Sequence, residues 1–454
     1  MNDNQRKSAI GLKVVNRRSA VTIAPTDDDE ITPNWKPVKV DQRQFPDQPA
    51  GGGAVPPTIA NVRYLLAANG IKARYNVIKK KTEVFIPGLT GTTDNADNVT
   101  IAHVRSLLAL HGIPNGDARA IVDAIADECS YNPVADWIES KPWDGCDRLP
   151  AFYATLIAST EYSSQLKETI MYHWLLSAVA AALMPNGFST RLVLTLQGPQ
   201  SIGKTRWCMS LVTDPALRSS VVKTDHHFEG GNKDHIITAM RHWIVEMGEL
   251  ESSLRKDAER LKGIITRDRD VVRIPYAVAD SDWPRRTVFV ASANGSDFLS
   301  DPTGSTRWGI IPVQAVHYEH TVDMQQLFAQ LAVDLAEGAR WWLTPEQEVE
   351  MEAWNERYRL TSPVADALMS VVDFDGDDTG IRERLTAGMV LERGGIEHPT
   401  PVQSRECGTL LRAKFGPPVK SKYGMRWEVP LRPNRPEHHV SRDPSLGPVK
   451  SKFD

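Results

Sequence analysis

The residues best equipped for chemistry are Gly198-Pro199-Gln200-Ser201-Ile202-Gly203-Lys204-Thr205. They spell G-x-x-x-x-G-K-T, a loop whose backbone N–H groups wrap phosphate oxygens. In that pattern Lys204 reaches the β- and γ-phosphates of a nucleotide, and the Thr205 hydroxyl ligates Mg²⁺. The run 191–197 before the loop is apolar and β-rich, and the run 206–212 after it reads as helix. A helix N-terminus at that point adds positive potential toward an anion. ATP and Mg²⁺ are the cofactors this spacing implies.

Downstream motifs refine the chemistry. The segment 242–249, His-Trp-Ile-Val-Glu-Met-Gly-Glu, is an apolar strand ending in carboxylates. One carboxylate, Glu246, is assigned to the metal, and Glu249 to the base that polarises an attacking water; the two roles can be exchanged. The strand 287–291 ends in Ser292-Ala293-Asn294, where Asn294 can orient that water. Arg307 stands just before the last core strand, placed to reach a neighbouring subunit's γ-phosphate and so to imply a ring. Between the Glu and Asn strands lies an insert carrying Arg269, Arg273 and Tyr276. Arginines and an aromatic there suit a hairpin gripping a single strand, although interleaved aspartates cancel charge and a solvated loop reads the same way. Near the end, Arg405, Arg412, Lys414, Lys420, Lys422 and Arg426 face only Glu406 and Glu428, a local excess suited to phosphate contacts.

These groups need a scaffold. Strands at 191–197, 220–224, 243–247, 287–291 and 308–313 alternate with helices, which implies an α/β fold with a parallel sheet covered on both faces. The P-loop NTPase core is expected over 191–345, entered through a helical segment at 131–190 with a turn at Trp143-Asp144-Gly145. Residues 57–130 read as a small N-terminal α/β domain whose hairpin turns at Lys79-Lys80-Lys81. Residues 1–56, aperiodic and rich in Pro, Gly and charge, read as a disordered tail, as does 433–454. A polar, acidic connector is expected at 346–380. Helix signals at 381–393 and 402–415, then a hairpin turning at Tyr423-Gly424, give 381–432 the pattern of a winged-helix-like DNA-binding module.

With 454 residues, 41% hydrophobic, the chain can build two or three domains. A formal net charge of −4 excludes a uniformly basic nucleic-acid coat but not a basic patch. Cys129, Cys146, Cys208 and Cys407 have no C-x-x-C spacing, which argues against a zinc site or disulfide framework and fits a reducing cytoplasm. No apolar run has membrane-spanning length, so no membrane partner is expected. Around the acidic run at 373–378 the glycine and distal glutamate of a calcium loop are absent from their places, and the adjacent pairs His226-His227 and His438-His439 lack ligand spacing.

Trp143-Asp144-Gly145 with Arg148-Leu149, the phosphate loop, the strand 244–249, Arg273-Ile274-Pro275-Tyr276, Arg285-Arg286-Thr287 and Asn294 together resemble the virulence-associated protein E family over roughly 131–345. That family is similar to superfamily-three helicases of phages, viruses and mobile elements, built on an AAA+-like core. The resemblance implies a hexameric, ATP-driven DNA helicase that replicates a phage, prophage or island in the bacterial cytoplasm. It supports the pore-hairpin reading of the insert. The family's paired arginines after the glycine of the finger loop are here Gly304-Ser305-Thr306-Arg307. No zinc-ribbon cysteines or primase-like acidic motif stand out, so priming is expected from a separate protein. The alternative function is an ATP-switched DNA-binding initiator or regulator that does not unwind.

Overall fold

The computed structural model describes residues 35–49, 51–89, 94–228, 233–273, 279–295, 299, 305–358, 363–373, 382–421 and 424–432. The chain divides into two compact units, Met1–Tyr131 and Asn132–Asp454.

In the first unit, helix α1 (Ile59–Ala68) is capped by the Thr58 side chain, which accepts from Asn61 N–H. Strands β1 (Lys72–Asn76) and β2 (Lys81–Phe85) pair antiparallel, and helices α2 (Ala96–Leu110) and α3 (Ala118–Asp127) complete the layer. The tail reading is corrected for the described residues 35–49 and 51–56. Val40, Phe45 and Val55 are buried in this unit's core with Val62, Leu65 and Leu107, and Asn69 Oδ1 and His111 Nε2 accept from the Val38 and Val40 amides. Residues 1–34 lie outside the described residues. At the hairpin tip Lys79 pairs with Glu83 and Lys81 with Asp97.

The second unit opens with α4 (Pro133–Ile138), α5 (Leu149–Tyr153), β3 (Leu156–Ala158) and α6 (Ser164–Leu183). There follow β4 (Val193–Gln197), α7 (Lys204–Ser210), α8 (Pro215–Val221), β5 (Val222–Lys223), α9 (Lys233–Met240), β6 (Ile244–Met247) and α10 (Leu250–Ile265). The hairpin β7 (Arg269–Val272) and β8 (Ser281–Pro284) precedes β9 (Val288–Ala293) and β10 (Trp308–Val316). The central sheet has the order β3-β10-β4-β9-β6-β5, parallel throughout except for β3, which pairs antiparallel with β10. Its middle strands are apolar runs because both faces are covered: all six residues of β9 are buried. Helix α6 is buried on nearly every side, as an all-round apolar helix must be. Buried indoles lock this layer to the sheet. Trp174 Nε1 donates to the Phe289 carbonyl, Trp243 Nε1 to Ala178, and Trp207 Nε1 to Thr155 Oγ1.

The turn at Trp143-Asp144-Gly145 is held by α11 (Met324–Ala336). Gln326 and Gln330 accept from the Asp144 and Arg148 amides, and Arg148 grips both Asp144 oxygens at 2.7 and 2.6 Å. This motif builds a clasp between the helical segment and the sheet's cover.

Over its described residues the expected connector is largely helical. Thr344 and Gln347 form a capping box that starts α12 (Pro345–Asn355), where Met351 is buried and Asn355 Nδ2 donates to the Trp308 carbonyl. Helix α13 (Pro363–Val371) belongs to the terminal module's core, so that module starts before 381. The helix signal at 381–393 resolves into β11 (Arg382–Leu385) and α14 (Ala387–Arg393); then come α15 (Pro401–Phe415), β12 (Val419–Ser421) and β13 (Gly424–Pro430), with sheet order β11-β13-β12. Val390, Leu391, Cys407, Leu411, Trp427 and Val429 form its core. Residues 433–454 lie outside the described residues. All four cysteines are free. No helix among the described residues is long and apolar enough to cross a membrane.

Candidate functional site

The loop 198–203 leaves the carboxyl end of β4, whose neighbours are β10 and β9. In an open parallel sheet, ligands bind at the carboxyl ends of strands where the connections diverge to the two sides. Gly203 has φ 102 and hands the chain into α7. Only glycine fits there: a Cβ would lie 2.5 Å from Cδ1 of Tyr318. A Cβ on Gly198 would collide with the Val313 carbonyl oxygen.

The structure brings Lys204, Thr205, Glu246, Glu249 and Asn294 to one cleft of about 520 Å³, also lined by Gln200, Ser201, Arg206, Asp225, Ser292 and Tyr318. Lys204 is buried and donates to Asn294 Oδ1 at 2.9 Å and to the carbonyls of Gly198, Pro199 and Ala293. Burial lowers its pKa below the ordinary lysine value, and the Glu251 and Glu246 carboxylates oppose the shift.

Glu246 is 1% exposed. Its Oε1 accepts from Ser292 Oγ at 2.6 Å and from Thr205 Oγ1 at 3.2 Å, and its Oε2 from the Asp225 amide at 2.8 Å. Thr205 and Glu246 therefore present adjoining hard oxygens, the donor type Mg²⁺ prefers. Among the described residues no three His, Cys, Asp or Glu side chains gather as a metal cage. Thr205 and Glu246 are the residues that could hold a magnesium ion, which at a nucleotide usually takes only one or two protein oxygens. Glu249 is exposed at the rim, at φ 49 and ψ 60.

Positive φ at non-glycine residues is costly and collects at functional sites. Of five such residues among those described, Ser201, Asp225 and Glu249 all line this cleft. Sequence reasoning missed Asp225, Ser292, Glu251, Arg206 and Tyr318. Glu251 Oε1 accepts from the amides of Asn294 at 2.6 Å and Gly295 at 2.9 Å, fixing the tip of β9. Ser292 had a visible signal, since it precedes Asn294 at the same strand end.

Arg307 is elsewhere. It ends a 3-10 turn, Ser305–Arg307, at the amino end of β10, across the sheet from the loop. Burial lowers its pKa and the positive charge of Arg191 adds to the effect. A second cleft of about 540 Å³ opens there, lined by Arg191, Thr306, Arg340 and Trp342.

Within the insert 267–286, β7 and β8 pair antiparallel, but the charges of its described residues are largely committed. Arg285 and Asp270 form a buried pair at 2.9 Å, Arg269 pairs with Asp282 at 3.0 Å, and Arg286 donates to the carbonyls of Ala182, Met184 and Pro185. Arg273 is exposed at the end of β7, and Tyr276 lies outside the described residues. In the terminal module Arg405, Arg412, Lys414 and Lys420 are exposed and Arg426 is half-buried, its Nη1 donating to the Arg384 carbonyl at 3.2 Å; Lys422 lies outside the described residues.

The apo structure of the NrS-1 C-terminal region aligns with a TM-score of 0.48 at 13% identity, covering 81% of this chain and 98% of that one. The A-form apo structure of the same region gives 0.47 at 13% identity, over 83% and 100%. No curated protein matches. The family model described as a virulence-associated protein E-like domain matches residues 138–360. The chain thus carries a virulence-associated protein E-like domain, and that span contains every side chain of the cleft at the carboxyl edge of the sheet.

Proposed function

We propose that this chain is an ATP-dependent DNA helicase or translocase that serves replication of a phage, prophage or mobile element and works as a homo-oligomeric ring, a hexamer by family resemblance. The observation that carries the reading is the convergence of Lys204, Thr205, Glu246 and Asn294 around the loop that follows β4. The strand order β10-β4-β9-β6-β5 supports an AAA+-like P-loop core. The order α13-β11-α14-α15-β12-β13 supports a winged-helix-like module.

In this reading the loop amides and Lys204 hold the phosphates. Magnesium, when bound, neutralises phosphate oxygens, with Thr205 and Glu246 as its protein contacts. Glu249 accepts a proton from the attacking water and Asn294 orients that water. Arg307 lies across the sheet from its own loop, so it would serve a neighbouring subunit's nucleotide. The hairpin β7–β8 and the terminal module would contact DNA through Arg273, Arg405 and Arg412, and a separate primase would supply primers.

Steady-state ATP hydrolysis with and without single-stranded DNA, on wild type and Lys204→Ala beside a fork-unwinding assay, tests the proposal. DNA-stimulated turnover with unwinding, both lost in the variant, is the expected result. Turnover indifferent to DNA, with no unwinding, would replace the motor by the ATP-switched DNA binder. Arg307→Ala should bind nucleotide without hydrolysing it, and mixing it with Lys204→Ala should restore partial turnover. Two inactive variants that stay inactive when mixed would remove Arg307 as a group acting in trans.

A further inference from the structure

We propose that Tyr318, backed by Arg206, is the platform on which the nucleotide's base packs. The site would then accept nucleoside triphosphates through a ring face, without reading base edges. This inference rests on the phosphate-loop reading above and extends it to the other end of the ligand.

The argument begins with sheet order. The loop follows β4, with β9 and β6 on one flank and β10 on the other. Apart from Lys204 and Thr205 at the loop itself, the groups suited to the terminal phosphate, the metal and the attacking water come from the first flank. Glu246 stands on β6, Glu249 just after it, Ser292 on β9 and Asn294 at its tip. A triphosphate with its γ end among those groups directs its ribose and base toward β10.

On that flank stands Tyr318, just beyond Val316, the last residue of β10. It is the aromatic residue among those lining the cleft, and it is half-buried. Its ring lies against Gly203 so closely that a Cβ there would sit 2.8 Å from Cε1. Arg206 follows Thr205 directly, at the start of α7, where the chain turns away from the phosphates. Its Nη1 donates to the Tyr318 hydroxyl at 3.0 Å, and its guanidinium carbon lies 5.2 Å from the ring centroid. The phenol is therefore held in place by two contacts to one side chain. Aromatic faces joined to a guanidinium bind bases with little sequence preference, because every base has a π-face. Beyond the loop itself, the described lining residues on this flank are Arg206 and Tyr318, and Arg206 Nη1 is turned to the Tyr318 hydroxyl.

The test is isothermal titration of the full chain with ATP, GTP and inorganic tripolyphosphate, each with Mg²⁺, on wild type, Tyr318→Phe, Tyr318→Leu and Tyr318→Ala. Wild type should bind ATP and GTP within a few-fold of each other, Tyr318→Phe should retain ATP, and both Leu and Ala should weaken ATP and GTP on the order of ten-fold. Tripolyphosphate should bind wild type and the phenylalanine and leucine variants equally. The leucine keeps Gly203 covered, so it separates loss of the ring face from collapse of the loop. Tripolyphosphate weakened as much as ATP in the leucine variant would make Tyr318 a prop for the loop and overturn the proposal. Unchanged ATP affinity in Leu and Ala would overturn it as well. Wild type that binds tripolyphosphate but gains nothing from a base sinks this proposal alone, whereas wild type that binds neither ATP nor tripolyphosphate removes the phosphate-loop reading with it.

Discussion

The Lys204 ammonium lies 2.9 Å from Oδ1 of Asn294, so the lysine of the loop and the asparagine at the tip of β9 are one hydrogen-bonded unit. Glu251 holds the same tip through the Asn294 and Gly295 amides. Asn294→Ala should therefore lower kcat on the order of a hundred-fold, the usual loss when one preorganised polar group leaves a reaction centre, with KM moving little. Steady-state kinetics decides it: a raised KM at constant kcat would assign Asn294 to placing Lys204 for binding. The pH dependence follows from the sign of the lysine's shift. Burial lowers the Lys204 pKa, so its positive charge, and with it phosphate affinity, is lost as pH rises, earlier than for an ordinary lysine. Glu251 raises that pKa, so Glu251→Gln should move the alkaline loss of tripolyphosphate binding to lower pH. An unmoved profile would exclude the coupling.

Glu246 and Glu249 should separate cleanly on mutation. Glu246 is buried and receives hydrogen bonds from Ser292, Thr205 and the Asp225 amide, whereas Glu249 stands exposed at the rim. Glu249→Gln should bind ATP normally and lose about 10²–10⁴-fold in kcat, the range for a general base. Glu246→Gln should raise the Mg²⁺ concentration needed for half-maximal turnover and lower the melting temperature as well. Identical magnesium dependence in the two variants would show that the roles are shared or reversed.

The loop, Glu246, Glu249 and Asn294 were legible in the sequence because each sits at the end of an apolar run, and a strand end is a local signal. Asp225 was not, because β5 is two residues long and only pairing with β6 brings Asp225 to Glu246. Tyr318 reaches Gly203 only through the parallel pairing of β10 with β4. The acidic composition of 346–380 hid α12, though the capping box Thr344-x-x-Gln347 was readable. Val40, Phe45 and Val55 are single apolar residues in a polar stretch, without the period that announces an element, and only the folded unit shows them as core. The arginines of the insert illustrate the converse: their types suggested phosphate contacts, yet Arg269 is paired with Asp282, and Arg285 is claimed for structure by Asp270.

That last distinction is measurable. Arg285 and Asp270 are both nearly inaccessible and joined at 2.9 Å, with Arg285 also donating to the Ile264 carbonyl. Removing one partner strands a buried charge, so Asp270→Ala should cost about 3–5 kcal/mol in a denaturant titration. Arg269 and Asp282 form an exposed pair on the same hairpin, and Arg269→Ala should cost roughly 0–1 kcal/mol. Comparable losses would mean that the hairpin's stability does not rest on its buried pair.

Arg405 and Arg412 are seven residues apart on α15, which places both on the face away from buried Cys407 and Leu411. Among the described residues neither guanidinium has a carboxylate partner, while Glu428 is paired with Arg384 at 3.2 Å. If this face follows a DNA backbone, each arginine displaces about one counterion. The slope of log affinity against log salt should then fall by about 1 for Arg405→Ala, about 1 for Arg412→Ala and about 2 for the double variant, whatever the DNA sequence. Equal mutations at Arg384 or Arg393, which are paired with Glu428 and Glu383, should leave the slope nearly unchanged. A slope insensitive to Arg405 and Arg412 would leave this face to another partner and shift the DNA contacts to Lys420 and the hairpin of the module.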